Sequence, residues 1–317
     1  FLAVFKCLSL FSMRSPRKPL SRDAVLVGVA LAAATVTGLL AFVAPGPAEN
    51  RRLTSLSGPS AMEHALPGVD LVFQTATSQK RVTDKVTRHS YDLMYGTFLA
   101  PLAHKSNLKM LEIGLGCAQS YGVGASVDLW RTLLPTVELW EAEFNEDCVK
   151  EQRAAGTLGD LNVLVGDQSD PDTLKRWIAE SGGAFDVIID DGGHKNFQIK
   201  ASFDLLWPEL KPGGFYFIED LQVGRGAKAT RRNPDIIISD IMQAWTEQLL
   251  VINLNQEQAR KHPLPKGCAF VMCQLDACVV GKRPDGFERW SRPSRMAQVA
   301  RDIGVPERLV QDLYLQD

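Results

Sequence analysis

The sequence predicts an α/β protein: a doubly wound, mostly parallel sheet of seven strands whose last two form a C-terminal antiparallel hairpin. Three observations predict it. Short β-branched and aromatic runs alternate with helical spacings between residues 109 and 218, each interval long enough for one crossover helix. Two of the runs end in paired acids: Phe185 to Ile189 in Asp190-Asp191, and Gly214 to Ile218 in Glu219-Asp220. Open α/β sheets bind ligands at the carboxyl ends of their strands, where these acids would stand.

The elements follow in order. Residues 1–23 form an N-terminal segment in which Met13 is the first plausible start. Residues 24–44 carry no charge over 21 positions, about the length a helix needs to cross a bilayer. Arg14, Arg17, Lys18 and Arg22 precede this stretch and only Arg51 and Arg52 follow closely, which predicts a transmembrane signal anchor with the remainder lumenal or extracytoplasmic. A cleaved signal or organelle transit peptide is the alternative. Residues 45–68, rich in Pro, Ser and Gly, read as a linker, and 69–285 as the globular domain. Helical spacing over 84–103 leads to a strand at 109–113, a glycine-punctuated loop and a helix at 125–134. Strands at 137–143 and 162–165 are followed by helices near 147–155 and 171–181. A strand at 186–189, a helix at 199–206, a turn at 211–214 and a strand at 215–218 complete the parallel set. A helix over 236–250 precedes a hairpin at 269–273 and 278–280, and residues 286–317 are a tail with a short helix near 307–313.

Charged residues are 23% of the chain and the net charge is -2, so no global basic field argues for nucleic acid. Cys268, Cys273 and Cys278 are spaced by five, which suits neither a zinc ribbon nor one strand face. They read as small apolar residues of the hairpin, with a disulfide open to a lumenal domain.

Glu112-Ile113-Gly114-Leu115-Gly116 is a strand-end acid followed by glycines, which permit a tight turn and close approach to a ligand. It lacks the full G-x-G-x-x-G order and the Gly-Lys-Ser/Thr of a P-loop, and an ordinary βα turn is its bland alternative. Glu143 closes the second strand and can accept ribose hydroxyls, with Glu141 competing for the role. Asp167 ends the third strand, where it can reach an adenine amino group or cap a helix. Asp191, Glu219 and Asp220 can supply three oxygens to Mg²⁺, and such acids would repel one another without a cation. His194, three residues past Asp191, can take a proton from a hydroxyl. His64, His89, His104 and His262 have no comparable acidic company and read as surface or structural.

With these residues in place, the chain resembles class I S-adenosylmethionine-dependent methyltransferases. More narrowly it is similar to the metal-dependent sugar O-methyltransferases of the macrocin and mycinamicin type, with which cephalosporin hydroxylase-like proteins share a pattern. The resemblance spans about residues 83 to 282 and is carried by Thr83-Asp84-Lys85, His89-Ser90-Tyr91, Glu112-Ile113-Gly114, Trp130, Gly166-Asp167-Gln168, Asp190-Asp191-Gly192-Gly193-His194, Pro212-Gly213-Gly214 and Glu219-Asp220. It implies a Rossmann-like fold, Mg²⁺ on Asp191, Glu219 and Asp220, and His194 as general base. It further implies S-adenosylmethionine against Glu112, Gly114 and Gly116, with Glu143 at its ribose and Asp167 and Gln168 at its adenine. Asp190 is counted with this cofactor set, a loop cap being its alternative. The chain departs from the family pattern at Gly193, where Ser is usual, and at Glu143, where Asp is usual. The expected activity is O-methylation of a small-molecule or glycan hydroxyl. A non-catalytic nucleoside-binding or adaptor domain at a membrane is the alternative. A non-haem iron hydroxylase is disfavoured, because its metal triad needs two histidines.

Overall fold

The computed structural model describes residues 67–120, 122–250 and 260–286. The expected anchor, the start at Met13 and the tail helix near 307–313 lie outside them. Among the described residues no helix is long and apolar enough to cross a membrane.

Three helical pieces come first: α1 (Pro67–Thr77), α2 (Asp84–Thr87) and α3 (Asp92–Phe98), then a 3₁₀ turn at Ala100–Leu102. The sheet units follow as β1 (Lys109–Ile113), α4 (Ala125–Leu133), β2 (Glu138–Glu143), α5 (Glu146–Ala154), β3 (Asn162–Val165), α6 (Pro171–Ser181), β4 (Phe185–Asp190), α7 (Asn196–Leu206) and β5 (Leu210–Ile218). After a 3₁₀ turn at Leu221–Val223 come α8 (Ala227–Thr230), α9 (Ile238–Leu250) and the hairpin β6 (Cys268–Gln274) and β7 (Ala277–Lys282). The seven strands run in the order β3-β2-β1-β4-β5-β7-β6, with β1 to β5 parallel and β7 antiparallel to both β5 and β6. The expected sheet, hairpin included, is therefore present.

Strand alternation divides the apolar core in two. Met110, Val187, Ile189, Phe217 and Val279 pack beneath α1, α3 and α4 with Tyr91, Tyr95 and Trp130. Leu111, Ile113, Ile188, Tyr216 and Val280 pack on α6, α7 and α9 with Trp177, Phe203 and Trp245.

Three departures from the expected elements have local causes. The helix expected over 84–103 is broken into α2 and α3 by the turn at Arg88–Tyr91, and α2 ends after one turn capped by Thr83. Helix α1 begins inside the expected linker, at Pro67. A Cβ on Gly68 would stand 2.2 Å from the Gly96 carbonyl oxygen, so α1 and α3 touch backbone to backbone. Strand β5 starts at Leu210 because Leu210 pairs with Phe185, and the ladder resumes only at Val187 opposite Phe215. The expected turn at 211–214 is thus an irregularity inside the strand.

Candidate active site

Strand order reverses between β1 and β4, so the loops leaving their carboxyl ends part and open a crevice. Gly114 leaves β1 and Asp191 leaves β4. The Gly114 N–H donates to Ala142 O at 2.8 Å, and the Asp191 N–H to Ile113 O at 3.0 Å. Gly114 has φ +117°, and a Cβ there would stand 2.2 Å from the Asp191 carbonyl oxygen. Glycine is required at that wall.

A cavity of about 1000 Å³ opens over these strand ends, lined by Gly114, Gly116, Glu143, Asp167, Gln168, Asp191 and His194 among others. Of the two competing acids of β2, Glu143 faces it. Its carboxylate accepts the Asn145 N–H at 2.9 Å and the Cys117 N–H at 3.4 Å, which ties it to the glycine loop. Cys117 is also joined by a disulfide to Cys148 on α5, a pairing the sequence reading did not foresee. Glu141 is fully buried beside Glu112 across the β1–β2 ladder. Burial first, and the Glu112 charge second, push its pKa well above the ordinary carboxylate range.

Asp167 is both a turn residue and a cavity residue: one oxygen accepts the Ser169 N–H and hydroxyl, each at 2.8 Å. The Gln168 amide works as a strap. It accepts the Gly193 N–H at 2.5 Å and donates to Asp190 at 2.8 Å.

Two residues expected against the cofactor stand behind the cavity wall. Asp190 precedes Asp191 on the strand and so points to the opposite face, where Gln168 and Ser202 donate to it. Glu112 is fully buried and accepts the Trp130 indole N–H at 2.9 Å.

The acids at the strand ends are organised by a cation that sequence reasoning missed. Lys85 of α2, 2% exposed, places its ammonium 2.7 Å from Asp191 Oδ2, 2.8 and 2.9 Å from the two Glu219 oxygens and 3.2 Å from Glu112 Oε1. Burial works against its charge, yet Asp191, Glu219 and Glu112 together hold its pKa well above the ordinary lysine value. The Tyr95 hydroxyl also donates to Glu219. Nothing in a lone Lys within Thr83-Asp84-Lys85 marks it as buried. The surplus of acids over bases at the strand ends is the signal that calls for such a partner.

His194 Nε2 lies 3.4 Å from Asp220 Oδ2, and ligand atoms of Asp191, His194 and Asp220 all fall within 4.8 Å of one another. Asp220 adopts φ 55° and accepts the Tyr91 hydroxyl at 2.9 Å. Burial raises its pKa, but the Tyr91 hydrogen bond and the His194 and His89 imidazoles carry it below the usual carboxylate value. Asp191 is pushed up to about 6 by burial, with Lys85 opposing. His89, expected to lack acidic company, stands between two acids: its Nε2 lies 3.7 Å from Asp220 and its Nδ1 3.6 Å from Asp276, while its ring stacks on Tyr91.

A hard divalent cation fits this donor set through the carboxylates of Asp191 and Asp220. Glu219, the third expected ligand, has both oxygens engaged by Lys85. A nucleoside-bearing cofactor fits the glycine-backed crevice, with Glu143 and Asp167 at its rim.

No protein-family model matches the chain. The sequence is 31% identical over 186 residues to 8-demethyl-8-(2-methoxy-alpha-L-rhamnosyl)-tetracenomycin-C 3'-O-methyltransferase of Streptomyces olivaceus, covering 54% of this chain and 45% of that one. It is 35% identical over 159 residues to demethylmacrocin O-methyltransferase of Streptomyces fradiae, covering 48% and 38%. Among solved structures, MycE methyltransferase of the mycinamycin pathway in complex with Mg, SAH and mycinamycin VI aligns with a TM-score of 0.48 at 21% identity, over 70% of this chain and 54% of that one. The chain thus spans less than half the length of the curated relatives it matches. It has a class I methyltransferase-like fold and, over the matched span, its sequence relatives are sugar O-methyltransferases of the tetracenomycin, macrocin and mycinamicin type.

Proposed function

We propose that this protein is an S-adenosylmethionine- and Mg²⁺-dependent O-methyltransferase acting on a hydroxyl of a sugar or glycoside. The observation that carries the reading is the meeting, at the β1/β4 switch point, of a glycine-backed crevice with the Asp191, His194 and Asp220 cluster. The sequence relatives support the acceptor class.

Glu143 would hold the cofactor ribose, and Asp191 and Asp220 would hold the ion. Bound there, the cofactor supplies an electrophilic methyl group, and the ion a field that lowers a hydroxyl's pKa. His194 Nε2 receives the hydroxyl proton, and Asp220 beside it stabilises the imidazolium that results. Lys85 and Tyr95 fix the Glu219 side of the site, so its acids need no rearrangement as charge moves.

The test is calorimetry of S-adenosylmethionine on the purified chain, with methyl transfer to a panel of glycosides before and after chelation. Asp191→Asn should keep cofactor binding and lose transfer. An Asp191→Asn enzyme with full activity would remove the ion from Asp191.

We further propose that residues 24–44 anchor the protein and that the domain is lumenal. The Cys117–Cys148 and Cys273–Cys278 disulfides support that side, since such bonds persist in oxidising compartments. Of the three C-terminal cysteines only Cys268 is the buried free thiol of the bland reading. Protease protection of the domain in intact vesicles is the expected result, and digestion without detergent would reverse the assignment.

A further inference from the structure

The two ends of the cavity differ in charge. Loops after β2 and β3 bring the acids Glu143 and Asp167; β4 also ends in an acid, Asp191, but the segments beyond β4 and β5 add three cations, Lys195, Lys228 and Arg232. All three cations line the cavity, and among the described residues none forms an ion pair. Neighbouring cations do pair: Lys200 with Asp204, and Arg225 with Asp240. The contrast is local and does not follow from overall composition, since the chain's net charge is -2.

Arg232 is also held in place. Its guanidinium lies 4.5 Å from the centroid of the Phe197 ring, and Phe197 lines the same cavity. An aromatic face orients a guanidinium without neutralising it, which leaves its N–H fork for an anion. All three cationic side chains are exposed, and a neutral sugar beside them offers their charges no counter-charge, whereas an anion does.

We infer that the acceptor carries an anionic group, a carboxylate or a phosphate, on or beside the sugar whose hydroxyl is methylated, and that Lys228 and Arg232 select it. This rests on the methyltransferase reading and names its substrate class. The anion occupies the β4/β5 end of the cavity, leaving the β1–β3 end to the cofactor.

The test is calorimetry on the full chain with p-nitrophenyl β-D-glucuronide, glucose 6-phosphate and p-nitrophenyl β-D-glucoside, with and without S-adenosylhomocysteine. One of the two anions should bind at least about tenfold more tightly than the neutral glucoside, and the preference should shrink in high salt. Preference for the glucuronide assigns a carboxylate, and preference for the sugar phosphate assigns a phosphate. The Lys228→Gln/Arg232→Gln variant should lose most of the preference while keeping its unfolding midpoint and its affinity for S-adenosylhomocysteine. Equal binding of all three sugars, or a preference untouched by the double substitution, overturns the inference. So does loss of S-adenosylhomocysteine affinity in the variant, which would give these cations to the cofactor. Wild-type protein that ignores S-adenosylhomocysteine yet prefers the anion would sink the methyltransferase reading alone.

Discussion

The Lys85 ammonium stands 2.7 Å from Asp191 Oδ2, although 106 residues separate the two in the chain. A buried cation therefore does at the back of the site what a bound ion would do at its front: it balances acids that could not otherwise lie together. Removing it leaves Asp191, Glu219 and Glu112 facing one another with no cation between them. Lys85→Met should cost about 3–5 kcal/mol of stability, the range seen when one partner of a buried ion pair is deleted. A divalent cation should give part of that back. The check is the urea midpoint of wild type and variant with and without Mg²⁺, and a variant that gains no more than wild type would dissociate the ion from this cluster.

The wall at Gly114 admits no side chain. Gly114→Ala places a methyl 2.2 Å from the Asp191 carbonyl oxygen on a backbone with φ +117°. Either the β1 loop or the β4 loop must move, and both border the cofactor crevice. S-adenosylmethionine affinity should fall at least about tenfold, with a stability loss of roughly 1–3 kcal/mol from the strained backbone. Gly156→Ala, also at positive φ but with open space around it, serves as the control.

At the opposite end of β4, Asp186 accepts from Lys105 at 2.9 Å, Lys211 at 2.7 Å and the Lys109 N–H at 2.9 Å. Burial raises its pKa, but these donors outweigh burial and leave it below the ordinary carboxylate value. A depressed folded-state pKa stabilises the protein above the unfolded value, near 4, and that contribution is lost as pH falls through the folded value. Asp186→Asn should therefore cost about 1–2 kcal/mol at pH 7, and the gap should close below about pH 4. Urea titrations at several pH values read this directly. A gap that widened on acidification would contradict the assignment.

The order of strands and crossovers was legible because five apolar runs alternate with amphipathic spacings, and local patterning suffices for that. The acids were legible as a group because strand ends collect at one edge. Which way each acid points was not: Glu112 and Asp190 turn from the cavity, and Glu143 rather than Glu141 faces it. Those outcomes depend on strand pleat and on partners such as Trp130, Ser202 and Lys85, supplied by helices that only the folded packing sets against the strands. Helix α1 escaped notice for a similar reason. Its seat is the Gly68–Gly96 backbone contact with only Val72 and Ala76 buried beside it, while Leu71 and Phe73 are exposed, so its apolar pattern is weak.

The Cys117–Cys148 disulfide closes 31 residues of chain and pins the glycine loop to the start of α5. Cys117 N–H also donates to Glu143, so the bridge and the proposed ribose carboxylate share one anchor point. Loss of the bridge frees the unfolded chain and loosens the loop in the folded one. Cys117→Ser/Cys148→Ser should lower stability by about 2–4 kcal/mol, as expected for a loop of this length. Cofactor binding should weaken beyond that stability loss, because ordering the loop then falls to the ligand. Cys273→Ser/Cys278→Ser provides the contrast: that bond lies in the hairpin, away from the crevice, and should change stability without touching S-adenosylmethionine affinity. Calorimetry on both variants, at a temperature where each remains folded, separates loop ordering from global stability. Equal affinity in the two would mean that the bridge positions nothing the cofactor uses.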